Sequence, residues 1–131
     1  MTLHNLWDEQ YQPIENEIDA VAERARQLGG YPVGTAAGSL RHAKDKEHPG
    51  QVANATESVA MLVDDHELVV RTMREAIESC EEAKDRGTAD FFTGLMQQHK
   101  EMAWMLRSFR EGDRFRSDGQ RPAQRNLPNE A

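Results

Sequence analysis

The stretch LHNLWDEQYQPIENEIDAVAERARQLGG, residues 3–30, predicts a long helix at the start of this chain. Its apolar residues recur at intervals of three and four, which is the spacing of one face of an α-helix. They are Leu3, Leu6, Trp7, Ile14, Ile18, Val21, Ala22, Ala25 and Leu28. Pro13 lacks an amide donor and predicts a local kink in this helix rather than a break. Gly29 and Gly30 are expected to end it.

A long connection and a second long helix are predicted next. Residues 31–50 contain five prolines and glycines, which predicts a crossover that holds only a short helix near 36–43. Asn54 and Glu57 have the spacing of a capping box. The apolar stripe that follows them predicts a second long helix, which runs to about Lys84.

A third long helix is predicted after a tight turn at residues 85–87. Thr88 can cap this helix, and its apolar face continues until Gly112, where we expect it to end. Residues 113–131 contain two prolines and four arginines balanced by acids, a composition that cannot bury enough surface to fold alone. The expected organisation is a helical domain at 1–112 and a flexible polar tail at 113–131.

Length and composition indicate one domain, which the helical periodicity makes all-α and which would gain stability by pairing with copies of itself. The 131 residues are 37% hydrophobic and 6% aromatic, with a mean hydropathy of -0.81. A single copy would bury limited surface, so self-association is a natural source of more. The order of elements predicts a helix bundle of ferritin-like topology from which one helix is missing. It consists of three long helices, a long crossover between the first and second, and a short hairpin between the second and third.

Composition also indicates a cytoplasmic protein. Cys80 is the one cysteine and cannot form an internal disulfide, and the first residues lack the basic and apolar regions of a signal peptide. No apolar run approaches the roughly 20 residues that cross a bilayer. The formal charge of -7 disfavours binding to anionic membranes and bare nucleic acid, whereas it suits cations.

Four candidate metal ligands lie on one side of the first helix. They are His4, Asp8, Asp19 and Glu23. At about 100° per residue, these positions fall within a sector of about 100°. The first two are one turn apart and can meet at one metal, and so can the last two. The two pairs are about 16 Å apart along the axis, whereas ligand atoms lie about 2 Å from a transition metal, so one chain cannot close the site.

Two antiparallel copies of the first helix would close it. If they pack about a two-fold axis near residues 13–14, Asp8 of one copy faces Asp19 of the other. His4 then faces Glu23 about the same midpoint, so one isologous dimer makes two identical sites of one imidazole and three carboxylates. Hard oxygen donors without a thiolate suit iron better than zinc. The alternative is that these acids form an ordinary solvated face and that the histidine is a solvent-exposed side chain without a function.

The same stretch resembles the second helix of the Dps proteins, a miniferritin family. In that family a histidine and an aspartate four residues apart, followed by an aspartate and a glutamate within a phrase like IDAVAER, supply an intersubunit ferroxidase centre. The matching positions here are His4, Asp8, Asp19 and Glu23. The phrases GGYPVGT, DDHELVVRTMREAIESCEEA and RGTADFFTGLMQQHKEMAWMLRSF are also similar to later segments of the family. The resemblance covers residues 3–110.

The resemblance implies a four-helix subunit that assembles into a hollow dodecamer. Such a cage oxidises Fe(II), preferably with hydrogen peroxide, and stores the ferric mineral inside. Protection of DNA follows, because paired iron that consumes peroxide in a two-electron step releases no hydroxyl radical. Some members of the family also bind DNA, so the expected location is the cytoplasm or the bacterial nucleoid.

The sequence departs from the family at its beginning. The family's first helix, with the histidine that it contributes to the ferroxidase centre, has no counterpart before Met1. Without that helix, each subunit would expose an apolar groove along three helices. The expected explanation is a start codon assigned too late or a truncated record, and the alternative is a degenerate gene.

Four other residues have two interpretations each. Asp85 and Asp90 flank the start of the third helix, near where the family forms three-fold pores, and could attract Fe(II). The alternative is an ordinary helix N-terminus, where acids are favoured. His66 and His99 lie among apolar residues at helical spacing, which is more typical of hydrogen-bonded or core-edge histidines than of functional ones.

DNA binding is expected to be weak, because phosphate contacts need clustered lysine or arginine. The arginines of residues 113–131 are the only candidates, and many copies would have to act together. Two functions remain open. The first is a cage enzyme that oxidises and stores iron, and the second is a truncated, non-catalytic Dps-like subunit that dimerises or binds DNA weakly.

Overall fold

The computed structural model of the protein describes residues 2–50 and 52–117, with side chains as far as Arg110. Within these ranges the chain forms four α-helices and no strand, which confirms the predicted all-α fold. In chain order they are α1 (Leu3–Gln27), α2 (Ala36–His42), α3 (Ala55–Glu82) and α4 (Arg86–Ser117). The short helix predicted in the crossover is α2. None of the described helices is both long and apolar enough to cross a lipid bilayer.

Local signals set both ends of α1, and its C-terminal end lies where the sequence predicts. The Thr2 hydroxyl accepts a hydrogen bond from the amide of Asn5, which caps the first turn. The helix continues without a break through Pro13. It ends where Gly29 adopts a φ of 84°, a left-handed conformation that glycine reaches without steric cost.

The start of α3 has the predicted capping box. The side chain of Asn54 accepts a hydrogen bond from the Glu57 amide at 2.9 Å, and the Glu57 carboxylate accepts one from the Asn54 amide at 3.0 Å. Two amide groups that the helix cannot pair are thereby satisfied.

The turn between α3 and α4 lies earlier than predicted. Lys84 adopts a φ of 58° there. Asp85 then caps α4, because its carboxylate accepts hydrogen bonds from both the amide and the hydroxyl of Thr88. The prediction that Thr88 is the cap was therefore wrong, since an aspartate three residues earlier takes that role and Thr88 becomes its donor.

The far end of α4 also differs from the prediction. The helix passes Gly112 and ends at Ser117, because one glycine costs a helix only about 1 kcal/mol and does not by itself stop it. The first five residues of the predicted tail therefore belong to α4. The rest of that tail, residues 118–131, lies outside the described ranges.

The apolar core lies at one end of the bundle. Leu6 and Leu106 are 1% and 0% exposed, and they pack with Val59 and Val63. Each such side chain contributes about 1.5–3 kcal/mol when it leaves water. The N-terminal parts of α1 and α3 meet the C-terminal half of α4 in this core, so α1 and α3 run parallel and α4 runs antiparallel to both.

Toward its other end, α1 packs on α4 through polar side chains. Gln10, Glu17 and Arg24 are seven residues apart and therefore share one side of the helix. Gln10 Nε2 donates to the Met102 carbonyl at 3.2 Å, and Arg24 Nη2 donates to the Thr88 hydroxyl at 2.7 Å. We call these three residues the polar stripe of α1. Its contacts fix which side of α1 faces outward.

Candidate metal centre

All four predicted ligands lie on the exposed side of α1, nearly opposite the polar stripe. His4 Nε2 is 3.5 Å from Asp8 Oδ2, and the two side chains are 81% and 71% exposed. Asp19 and Glu23 are exposed farther along the same helix. The docking of α1 therefore directs all four ligands away from the bundle.

The structure does not bring the two ligand pairs together within one chain. Among the described residues, no group of three or more histidine, cysteine, aspartate or glutamate side chains is arranged to hold a metal ion. The assignment of His4, Asp8, Asp19 and Glu23 as ligands stays a prediction.

Apolar surface flanks the ligands on α1. Tyr11 and Ile18 are 67% and 65% exposed, although both are large side chains. Beside them, a groove of about 460 Å³ separates α1 from α3, and its lining includes Ile14, Val21 and Met73. The groove is therefore lined largely by apolar side chains of the long helices.

Asp85 is engaged in helix capping. Hydrogen bonds from Thr88 are the main cause that holds the pKa of Asp85 below its ordinary value, and the Arg24 guanidinium at 3.8 Å adds to the effect. Asp90 is exposed in the early part of α4. The position of Asp85 fits the interpretation as an ordinary helix N-terminus. The role of Asp85 and Asp90 in an iron-entry pore stays a prediction.

The structure also contains a buried group of three hydrogen-bonded side chains that the sequence did not predict as a unit. His99 Nε2 is 2.7 Å from Glu17 Oε2, and His99 Nδ1 is 2.7 Å from His66 Nδ1. The three side chains come from α1, α4 and α3 and are less than 10% exposed. We call them the buried triad. The interpretation of His66 and His99 as hydrogen-bonded core residues is confirmed, but their partner Glu17 was missed.

Hydrogen-bond geometry restricts what the buried triad can do. Only one proton fits between the two facing Nδ1 atoms, so one imidazole donates and the other accepts. Burial, together with the electrostatic effect of the neighbouring His99, lowers the pKa of His66 to about 4, so His66 is neutral at pH 7. Glu17 and His66 approach opposite ring nitrogens of His99, so the three groups cannot converge on one metal ion. The triad therefore serves to hold three helices together.

The buried triad predicts that the protein loses stability as the pH falls from about 6.5 toward 4. An unfolded chain protonates His66 near pH 6.5, whereas the folded chain does so only near pH 4. Between these values the unfolded state binds more protons, so acid favours unfolding. Urea unfolding followed by circular dichroism at neutral and mildly acidic pH measures the effect. A His66→Leu variant should lose less stability over this range than the wild type, and equal losses would contradict the assignment.

Comparison with known proteins places most of the chain in one family. A family model described as a ferritin-like domain matches residues 1–114. A low temperature-induced protein of Nostoc sp. is 52% identical over 123 residues, which is 93% of this chain and 69% of that protein. A DNA protection during starvation protein of Brevibacillus brevis is 36% identical over 110 residues, which is 84% of this chain and 73% of that protein.

Solved structures agree with the sequence matches. The X-ray structure of Dps from Thermosynechococcus elongatus superposes with a TM-score of 0.77 at 36% identity, over 82% of this chain and 68% of that one. The crystal structure of a Dps protein from Bacillus brevis also gives a TM-score of 0.77, at 34% identity, over 82% of this chain and 71% of that one.

Proposed function

Because the chain belongs to the ferritin-like family, and within it to the Dps proteins, we propose that it oxidises Fe(II) and stores the ferric product. Iron storage and DNA protection are the general functions of this family. The finer steps proposed are oxidation by hydrogen peroxide at a site shared between two subunits, and storage inside a homo-oligomeric cage of twelve subunits. Iron is the substrate and cargo of this cage.

The observation that carries the proposal is the outward direction of the four ligands on α1. Asp8 and Asp19 have the same midpoint along the helix as His4 and Glu23, between positions 13 and 14. An antiparallel copy of α1 about that midpoint therefore places each half-site opposite its complement. The polar stripe supports this arrangement, because its contacts with α4 keep the ligand side of α1 free to meet a second subunit.

Exposed apolar side chains support the same interface. Tyr11 and Ile18 border the ligand side of α1, where each has about two thirds of its surface in contact with water. Covering large apolar side chains of this kind contributes about 25 cal/mol per Å² of buried surface. A second copy of α1 would cover them and complete the two metal sites in one step.

The proposed ligands suit the oxidation of iron. Three carboxylates are hard, anionic donors that stabilise Fe³⁺ more than Fe²⁺, which favours loss of an electron, and imidazole is a common ligand of iron. Two Fe²⁺ ions each give one electron to one hydrogen peroxide molecule, whose O–O bond breaks to yield two hydroxide ions and two Fe³⁺ ions. No hydroxyl radical is released, so the reaction would protect nearby DNA.

The proposal is tested by measuring particle mass and peroxide-driven Fe(II) oxidation on the same sample. We expect a particle of twelve 14.9 kDa subunits that forms ferric ion faster than protein-free buffer does. A monomer or dimer that oxidises Fe(II) no faster than protein-free buffer does would contradict the proposal. It would instead support the alternative of a non-catalytic Dps-like subunit.

A further inference from the structure

We propose that a cationic groove between α3 and α4 binds phosphate groups. The groove has a volume of about 430 Å³. Four of its lining residues carry a positive charge, and they are Arg71, Arg74, Lys100 and Arg107. We call it the cationic groove. It is separate from the proposed iron site on α1 and does not depend on iron oxidation.

The charge of the groove contrasts with that of the whole protein. The chain has a formal charge of -7, yet Glu67 is the one acidic side chain that lines this groove. Glu67 is paired with Arg107, whose Nη1 lies 3.1 Å from its Oε1. In the part of the chain that the structure describes, the other three cations form no ion pair. The groove therefore carries a local excess of positive charge that an anion would neutralise.

The nearest acids along α3 do not cancel this excess. Glu75, one turn beyond Arg71, is held by Lys44 at 3.0 Å on the crossover. Glu78, one turn beyond Arg74, makes no ion pair with it in the described structure. Cations in a cleft of one sign add their potentials, which concentrates anions there. An anion-binding site requires several cationic side chains that line one cleft and have no acidic partner.

The shape of the groove fits oxygen-rich anions. Arg71 and Arg74 are about one turn apart on α3, while Lys100 and Arg107 are about 10 Å apart along α4. Val70 and Ala103, which are 6% and 2% exposed, form an apolar part of the lining between the two rows. A guanidinium presents a planar fork of donors that matches two oxygens of one phosphate, and charge-assisted bonds of this kind are the strong ones.

The groove adds a second candidate for phosphate contacts to the arginines of residues 113–131. Its four cations are spread over 37 positions of the sequence, from 71 to 107, so no basic cluster is visible in the sequence. The fold brings them together because α3 and α4 pack as an antiparallel hairpin. Two sources share the required chemistry, which are free inorganic phosphate and the phosphodiester backbone of DNA.

The test compares two double variants of the full-length protein. Arg71→Gln with Arg74→Gln removes two charges from the groove. Arg41→Gln with Arg86→Gln removes the same charge from exposed positions elsewhere and serves as the control. Inorganic phosphate is titrated calorimetrically in chloride buffer. A fluorescent DNA duplex is titrated by anisotropy in phosphate-free buffer at several salt concentrations.

We expect the groove variant to bind at least one probe about tenfold more weakly than the control variant, because each of its two lost contacts is exposed to solvent and should cost about threefold in affinity. Binding of phosphate with no binding of DNA would identify the free ion as the ligand, and binding of DNA with no binding of phosphate would identify the backbone. For DNA, the negative slope of log affinity against log salt should also become shallower by about 1.8, because each of the two lost phosphate contacts contributes about 0.9 to it.

Two results would overturn the proposal. One is that the wild type binds neither probe, and the other is that the groove and control variants are weakened equally. A Lys100→Gln variant keeps the test decisive if the arginine variant fails to fold, because it lies on the other helix of the groove. Iron oxidation by the folded groove variant should match the wild type, so failure of this proposal is distinguishable from failure of the iron site.

Discussion

Replacing Asp19 by asparagine and Glu23 by glutamine should lower the rate of Fe(II) oxidation at least about 100-fold, to the rate in protein-free buffer. Even partners outside the ligand shell of a metal cost about 10–100-fold when mutated, so loss of two ligands should cost no less. The amides keep the size of the side chains but remove the two negative charges that stabilise Fe³⁺. Stopped-flow absorbance of ferric ion after mixing with peroxide measures the rate.

A matched control separates the ligands from general electrostatics. Glu82→Gln with Glu101→Gln removes the same two negative charges from exposed positions on α3 and α4, away from the ligand helix α1. Attraction of Fe²⁺ by the net charge would fall equally in both variants. We therefore expect the control to oxidise iron within about twofold of the wild type. Full activity in the Asp19 and Glu23 variant would remove the site assignment.

The sequence predicted best the features that depend on neighbouring residues. The paired glycines that end α1 and the capping box that starts α3 are local patterns, and both occur as expected. Asp85 and Thr88 show the limit of this reasoning, because either residue can cap a helix from its own position. The choice depends on where Lys84 turns the chain, which a local pattern does not determine.

The buried triad could not be predicted in the same way. Glu17 is 82 residues from His99, and His66 is 33 residues from it, so the contacts exist only after the three long helices have packed. A signal was present in α1, where Gln10, Glu17 and Arg24 repeat at intervals of seven. An acid at a packed position of that stripe needs a buried partner, but the apolar periodicity of the same helix indicates a neighbouring side as the one that packs.

The sequence predicts the two halves of the candidate iron site, but one chain alone does not join them. The periodicity of one helix is enough to place His4 with Asp8 and Asp19 with Glu23, and the structure adds that the polar stripe directs both pairs outward. The surface that would join the halves lies on a second copy of the chain. A test of the site must therefore detect a contribution from two subunits.

Mixing two inactive variants should restore iron oxidation. One variant carries His4→Ala and Asp8→Asn, and the other carries Asp19→Asn and Glu23→Gln, so each lacks one half of every site. In a mixed dimer, one of the two sites receives both intact halves and the other receives none. Random pairing makes about half of the dimers mixed, so about a quarter of all sites should be complete.

The two variants are unfolded together, refolded as a mixture and assayed with peroxide beside each variant refolded alone. The mixture should recover about a quarter of the wild-type rate, whereas each variant alone should stay at the buffer rate. A site made within one chain predicts no recovery, because neither chain carries all four ligands. Recovery after joint refolding, but not after simple mixing of the folded variants, would show that the complete site forms only when different subunits pair through α1.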